Sequence, residues 1–151
     1  MYSREEKKQL IINFWSGFSL FCSRMPFLKG KRKKWLLHRT GVNHVHMKFD
    51  VGRSGVKVVL ELLHRSEDER LAMFEKLTQF KALLEEGFEG GLVWDYAYTR
   101  ESGQEVARIY TELEGVDVHR QGDWEEMYEF MARKMHQLET NLLEIRDLIK
   151  N

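Results

Sequence analysis

The chain has 151 residues and a mass of 18.1 kDa, about the length of one typical domain, so we treat residues 1–151 as a single domain. Its 24 basic and 24 acidic side chains balance, and global charge therefore selects neither nucleic acid nor an anionic membrane as a partner. The single cysteine, Cys22, excludes an internal disulfide and fits the reducing cytoplasm.

The first predicted element is an amphipathic helix. Ser3 and Glu6 have the spacing of a capping box, so the helix begins there, and Pro26 ends it. We interpret residues 10–22 as part of this helix rather than as a secretion signal, because the residues before them carry charges of both signs. Apolar residues recur at three- and four-residue intervals and predict one broad buried face: Leu10, Ile11, Phe14, Trp15, Phe18 and Phe21.

Three strands are predicted next, at residues 35–38, 44–51 and 56–64, from short runs rich in β-branched and apolar residues. Gly52 and Gly55 suit the turn of a hairpin between the second and third strands. The second strand alternates apolar and polar residues, which predicts a sheet with one apolar and one polar face. The apolar set of that strand is Val45, Met47 and Phe49.

A second helix and a second hairpin follow. Ser66 and Glu69 repeat the capping-box spacing, and Gly87 is the predicted end of the helix. Strands are predicted at residues 92–98 and 106–113, joined by a polar turn of residues 101–104. The apolar stripe of the second helix is predicted to be Leu71, Phe74, Leu77 and Leu84.

The last predicted element is a long helix from Trp124 to Lys150, with Asp123 as its capping residue. Its apolar residues step by four and three, like the a and d positions of a heptad. Two partners for this seam stay open: the first helix of the same chain, or a second subunit in a homodimer. The seam consists of Trp124, Tyr128, Met131, Met135, Leu138, Leu142, Ile145 and Ile149.

These elements predict an α+β fold made of a helix, a three-strand meander, a helix, a two-strand hairpin and a long C-terminal helix. One central sheet is flanked by the helices.

The chain also resembles a known family over essentially its whole length. The resemblance is spread over many short matches rather than one motif: residues 1–6, Phe14-Trp15, residues 34–37, Phe74 and Leu77, residues 108–110, residues 112–116, and Trp124. It is to the bacterial family called domain of unknown function 4268. That family has no established activity to carry onto particular residues, but some members place this domain behind nuclease-like or restriction-associated segments. The resemblance therefore implies work related to DNA.

The predicted order of elements also matches the core of restriction-type nucleases. Such sites use an acidic residue on the second strand and Glu-x-Lys on the third, because two carboxylates hold a divalent cation while the lysine orients water. Asp50 and Glu61 are the candidate carboxylates, but Leu63 stands where the lysine is required. We therefore expect an inactive relative rather than an active nuclease, since the site and not the topology carries an activity.

Histidines are the other candidate metal ligands. His44 and His46 are predicted to share a strand face, and with His38 or His64 they have the donor atoms for a transition metal. No carboxylate or thiolate accompanies them at a fixed spacing, so we predict neither a metal nor another cofactor.

The densest charge in the chain is a basic run of five cations in six residues. Such a run can neutralise several phosphates, and the indole that follows it can stack on a base. We therefore expect a non-enzymatic binding or interaction domain with nucleic acid as its candidate partner. The alternatives are a degenerate nuclease-like enzyme centred on Asp50 and Glu61, and a structural dimerisation module. The candidate nucleic-acid-binding residues are Lys29, Lys31, Arg32, Lys33, Lys34 and Trp35.

Overall fold

A computed structural model of the chain describes residues 2–28 and 40–150. The predicted α+β class and the long C-terminal helix are confirmed, whereas the strand predicted at residues 35–38 lies outside the described residues. The helices are α1 (Arg4–Ser23), α2 (Glu67–Gln79), α3 (Lys81–Leu84) and α4 (Trp124–Ile149), with short 3-10 turns at Pro26–Leu28 and Gln121–Asp123. The strands are β1 (Val45–Val51), β2 (Gly55–Leu62), β3 (Val93–Thr99) and β4 (Glu105–Glu114).

The four strands form one antiparallel sheet in the order β1-β2-β4-β3. Both predicted hairpins are present, β1 with β2 and β3 with β4. The first is closed by the Gly52 N–H donating to the Gly55 carbonyl over 3.0 Å. Because β2 also pairs with β4, the two hairpins lie side by side, and residues far apart in the chain face each other across them.

The sheet has two chemically different faces, because alternate side chains along a strand point in opposite directions. One face is apolar and carries α1, α2 and α4. The other carries the polar residues of β1 together with Glu61 and Arg108. Six side chains of the apolar face are almost fully buried: Val45, Met47, Val58, Leu60, Leu62 and Ile109.

Helix α1 forms as the sequence predicts. Ser3 and Glu6 make the complete capping box, with hydrogen bonds of 3.0 and 3.2 Å. Phe14 and Phe18 are buried, and the Phe18 ring meets the Phe49 ring of β1 edge to face at 5.2 Å. Across the described part of the chain, no helix combines the length and the apolarity needed to cross a bilayer.

The predicted second helix is wrong in its length and in one residue of its stripe. The chain breaks at Phe80, whose backbone leaves the helical region, so that α2 and the short α3 replace one helix running to Gly87. Leu71 is 40% exposed, and the buried positions of α2 are Arg70, Met73 and Leu77. The helix is rotated from the expected stripe because its Arg70 turns inward to reach the His64 carbonyl at 2.9 Å.

Asp123 occupies the N-cap position of α4 but does not cap it. Its carboxylate accepts hydrogen bonds from the Asp117 backbone N–H and the Arg120 Nε, both over 2.9 Å. The acid therefore closes the turn before the helix, which corrects the predicted capping role. The backbone at Asp123 is itself in the helical region, whereas a residue that caps with its side chain is usually extended.

The heptad seam of α4 packs inside the chain. Its residues from Tyr128 to Ile149 are buried, and the Tyr128 hydroxyl donates to the Phe14 carbonyl of α1 over 2.6 Å. Trp124 is partly buried and meets Phe14 edge to face at 5.4 Å. The seam is therefore filled within the chain, and the exposed Leu143 and Leu148 lie outside it.

Candidate functional site

The basic run and Trp35 lie outside the described residues, as does His38. Their flanks are described. Leu28, which ends the first 3-10 turn, and Thr40 are both buried. Thr40 is fixed to the start of β1 by its hydroxyl, which donates to the Val45 carbonyl over 2.6 Å.

Asp50 and Glu61, the two candidate carboxylates, are brought together on the polar face of the sheet. Asp50 is on the edge strand β1, and Glu61 is on its neighbour β2. Arg108 of β4 lies directly opposite Glu61 in the strand register. With Lys48 of β1 these residues form one group of charges, which we call the Arg108 cluster.

The guanidinium of Arg108 bonds both carboxylates. Its Nε donates to Glu61 Oε2 over 2.8 Å, and its Nη1 donates to Asp50 Oδ2 over 3.1 Å. Arg108 and Glu61 are 3% and 1% exposed at the side chain, whereas Asp50 is 43% exposed. The pair of Arg108 and Glu61 is therefore a buried ion pair, and Asp50 extends it to the surface.

Tyr98 of β3 completes the surroundings of Arg108. The Arg108 Cζ lies 3.9 Å from the centre of the Tyr98 ring, a cation–π distance. Burial acts to lower the Arg108 pKa, but the hydrogen bonds that Arg108 donates to Glu61 and Asp50 outweigh it and hold the pKa above its ordinary value. The guanidinium therefore stays charged, and its charge is balanced by the two acids.

The cluster contains the residue types of a nuclease-like site in a different arrangement. Leu63, the residue after β2, stands at the position where such a site requires a lysine. Lys48 on the adjacent strand has its Nζ 3.8 Å from Glu61 Oε2. Arg108 stands between the two carboxylates, where a divalent cation would have to bind. Among residues 2–28 and 40–150, no group of three or more His, Cys, Asp and Glu side chains is arranged to hold a metal.

Sequence reasoning missed Lys48, Arg108 and Tyr98 as members of this group. A usable signal was present. Glu61 and Arg108 are single charges inside otherwise apolar runs, and a buried charge in a strand requires a partner of opposite sign. The pairing of β2 with β4, which joins them, is a contact between hairpins and is not visible in local patterns.

The histidines are arranged differently from the predicted strand face. His44 precedes β1 in a left-handed conformation, with φ of 65°, and its ring centre is 5.1 Å from that of His64. His46 is exposed on β1, opposite Glu61 in the register. The close pair is therefore His44 with His64, and the predicted pairing of His44 with His46 on one strand face is wrong, because the chain turns sharply between them.

Comparison with known proteins gives one assignment. No curated protein and no solved structure matches the chain significantly. A family model, described as domain of unknown function (DUF4268), matches residues 11–146 of the chain. Every described helix and strand lies at least partly within these residues. The chain therefore belongs to the family named domain of unknown function 4268.

Proposed function

We propose that this chain is a non-enzymatic binding domain that contacts the phosphate backbone of nucleic acid through the basic run of residues 29–34. The observation that carries the proposal is the concentration of positive charge: five cations occupy six residues in a chain whose total charge is zero. Phosphate contacts of this kind supply most of the sequence-independent affinity of nucleic-acid-binding proteins.

The described flanks of the run support the proposal, because cations of α4 lie beside both of them. The Arg133 guanidinium is 5.3 Å from the Phe27 ring, just before the run. At the other flank, a Cβ added to Gly41 would lie 3.4 Å from Arg146 Nη1. The two arginines lie 13 positions apart on α4, or about 20 Å along the helix axis.

The Arg108 cluster supports the non-enzymatic part of the proposal. A metal-dependent nuclease needs its two carboxylates to bind a divalent cation, and here a buried guanidinium already neutralises both. We further propose a cytoplasmic location, because the lone Cys22 suits a reducing compartment.

Salt-dependent retention on nucleic acid tests the proposal. We expect the protein to be retained by single-stranded and duplex DNA or RNA at low ionic strength and released by salt. In the variant with Lys31, Arg32, Lys33 and Lys34 changed to glutamine, retention weakens, and the slope of log K against log salt flattens by about 0.7–0.9 for each lost phosphate contact.

A control variant removes four cations elsewhere, so that both variants have the same net charge. It changes Arg4, Lys8, Arg53 and Arg65 to glutamine, all of which are exposed. We expect it to bind like the unchanged protein. Absence of salt-sensitive retention in the unchanged protein, or equal loss in both variants, contradicts the proposal.

Trp35 provides a second, more selective test. A stacked aromatic ring contributes about 1–3 kcal/mol per base on single strands. Changing Trp35 to alanine should therefore weaken binding to single strands more than binding to duplex. Equal weakening on both would remove Trp35 from the contact while leaving the role of the cations intact.

A second candidate function is a nuclease-like enzyme that uses Asp50, Glu61 and Lys48. It is favoured by the position of Lys48 Nζ, 3.8 Å from Glu61, in place of the lysine missing at Leu63. Nuclease assays with added Mg²⁺ or Mn²⁺ test this candidate. Cleavage that is abolished by Asp50→Ala supports it, and activity that is absent or unchanged by that substitution rules it out.

A further inference from the structure

A pair of imidazoles lies at the end of the sheet where β1 begins and β2 ends. The ring centres of His44 and His64 are 5.1 Å apart, with the ring planes inclined at 48°. Neither residue belongs to the Arg108 cluster or to the basic run. The two histidines therefore form a separate group of side chains, independent of the proposed function.

The backbone holds both histidines in place. His44 has a φ of 65°, a left-handed conformation that costs free energy for a residue with a side chain. Its carbonyl accepts the Leu63 N–H over 2.7 Å, which fastens it beside the end of β2. The His64 carbonyl accepts Arg70 Nη1 over 2.9 Å. Main-chain contacts thus fix the backbone at both histidines.

The ring separation matches that of two ligands on one metal. Imidazole nitrogens bind zinc at about 2.0–2.1 Å, which sets two ring centres about 4.6 Å apart for a right angle at the metal and about 5.3 Å apart for a tetrahedral angle. The observed 5.1 Å lies between these limits. The spacing of the two ring centres therefore fits one ion shared between them.

The environment of His64 leaves its ring available. The side chain is buried, at 6% exposure, and its Nδ1 has no hydrogen-bond partner among the residues that the structure describes. Burial, and secondly the neighbouring His44, lower the His64 pKa. His44 is exposed and gives an ion access from solvent.

The charged side chains near His44 and His64 do not have a net positive charge that would repel a cation. Glu69 and Arg70 both act on the His64 ring, one raising and one lowering its pKa. Arg70 is itself directed to the His64 carbonyl, and its Nη2 lies 3.9 Å from Glu105 Oε2. One positive charge near the pair is therefore accompanied by two carboxylates.

We propose that His44 and His64 bind one divalent transition-metal ion of the Zn²⁺, Ni²⁺ or Cu²⁺ class, with water in the remaining positions. In the described part of the chain, no third His, Cys, Asp or Glu side chain is arranged to complete the site. The affinity is therefore that of a two-ligand site, weaker than that of a closed structural zinc centre. Hard ions such as Mg²⁺ prefer oxygen ligands and do not bind this pair.

Titration calorimetry with ZnCl₂, NiCl₂ and CuCl₂ tests the site, using full-length protein freed of any histidine tag. We expect one ion per chain. His44→Ala should weaken binding by at least about tenfold, because losing even an outer-shell partner of a metal ligand costs about 10–100-fold in affinity. His64→Asn should do the same, whereas Mg²⁺ should give no heat that depends on either histidine.

His46→Ala is the matched control, because His46 is an exposed histidine two residues further along the chain, on β1. We expect it to leave the affinity unchanged. If His64→Asn fails to fold, His44→Ala still decides, since His44 is exposed. The proposal is overturned if the unchanged protein binds none of the three ions, or if His44→Ala leaves the affinity unchanged. It is also overturned if His46→Ala weakens the affinity as much as His44→Ala does.

An independent readout is the NMR spectrum of the imidazole rings. Substoichiometric Ni²⁺ should broaden the ring signals of His44 and His64 first. The His119 ring, which is bonded to Asp117 at 3.1 Å, serves as the reference signal. Broadening of all rings together would indicate nonspecific binding and would overturn the assignment.

Discussion

Glu61 and Arg108 face each other across β2 and β4, and the arginine Nε donates to the carboxylate over 2.8 Å in a place where the two side chains are 1% and 3% exposed. They are 47 residues apart in the chain, so their contact joins the two hairpins of the sheet. Within the cluster no other cation lies as close to Glu61, since Lys48 Nζ is 3.8 Å from it.

Arg108→Met should destabilise the protein by about 3–5 kcal/mol, because it leaves the Glu61 carboxylate buried without its main partner. The double variant with Glu61→Leu should lose less than the single variant, since neither charge then remains in the sheet. Urea unfolding followed by circular dichroism measures both. A single variant as stable as the unchanged protein would contradict the buried ion pair.

Asp50→Asn should cost less than about 1 kcal/mol, because Asp50 is 43% exposed and its pair with Arg108 is screened by water. The same urea measurement applies. Comparing the loss of unfolding free energy in Asp50→Asn with that in Arg108→Met tests whether Glu61, and not Asp50, is the main partner of the guanidinium. Equal losses in the two variants would show that it is not.

Gly17→Ala should destabilise the protein by about 1–3 kcal/mol, although alanine is the better helix former by about 1 kcal/mol. A Cβ at Gly17 would meet the Tyr128 hydroxyl, which holds α1 against α4. The neighbouring Ser16→Ala is the control, since Ser16 is exposed and its replacement should be neutral or slightly stabilising.

Adding Tyr128→Phe to Gly17→Ala identifies the contact responsible. The double variant should recover part of the loss, because the hydroxyl is gone while the ring carbon Cζ would still lie 3.2 Å from the new methyl group. Additive losses, measured as a double-mutant cycle in urea, would show that the two residues do not interact.

Stability should fall in alkali through Cys22 and Tyr128. Burial raises the Cys22 pKa from 9.0 to about 11, and burial raises the Tyr128 pKa from 10.0 to about 12. In the unfolded chain both groups ionise at lower pH, so the stability they contribute is complete below about pH 9 and is lost as the pH rises towards 12. Urea midpoints between pH 8 and pH 11 should fall less steeply in Cys22→Ser than in the unchanged protein.

The same pKa predicts slow alkylation of Cys22. At pH 8 about one thiol in a thousand is ionised in the folded chain, against about one in ten for the unfolded chain, and the thiolate is the reactive form. Iodoacetamide should therefore modify the folded protein about a hundredfold more slowly than the protein in urea. Similar rates in the two conditions would place Cys22 at the surface.

Much of the fold follows from local patterns. The capping box at Ser3, the alternation along β1 and the heptad spacing of α4 depend on neighbours within a few residues, and all three are present. The errors occur where a contact with the loop before the helix, six residues back in the chain, overrides the pattern within the helix. Arg70 turns inward to a carbonyl of the preceding loop, and the carboxylate of Asp123 turns to Asp117.

The candidate site was only half predictable. Asp50 and Glu61 were visible as carboxylates on neighbouring strands, since one hairpin contains both. Arg108 was not predictable, because its position beside Glu61 depends on the pairing of β2 with β4. Lys48 was not predictable either, because a nuclease-like site has its lysine at the position of Leu63. The His44 and His64 pair depends on a left-handed backbone that the residue type alone does not require.

Arg108 acts as a counter-ion supplied by the protein itself. A relative that keeps both acids but has an apolar residue at this position would bury uncompensated negative charge and would have to recruit a cation from solution. A single substitution at Arg108 would therefore change a sheet face that neutralises its own acids into one that requires a cation from solution.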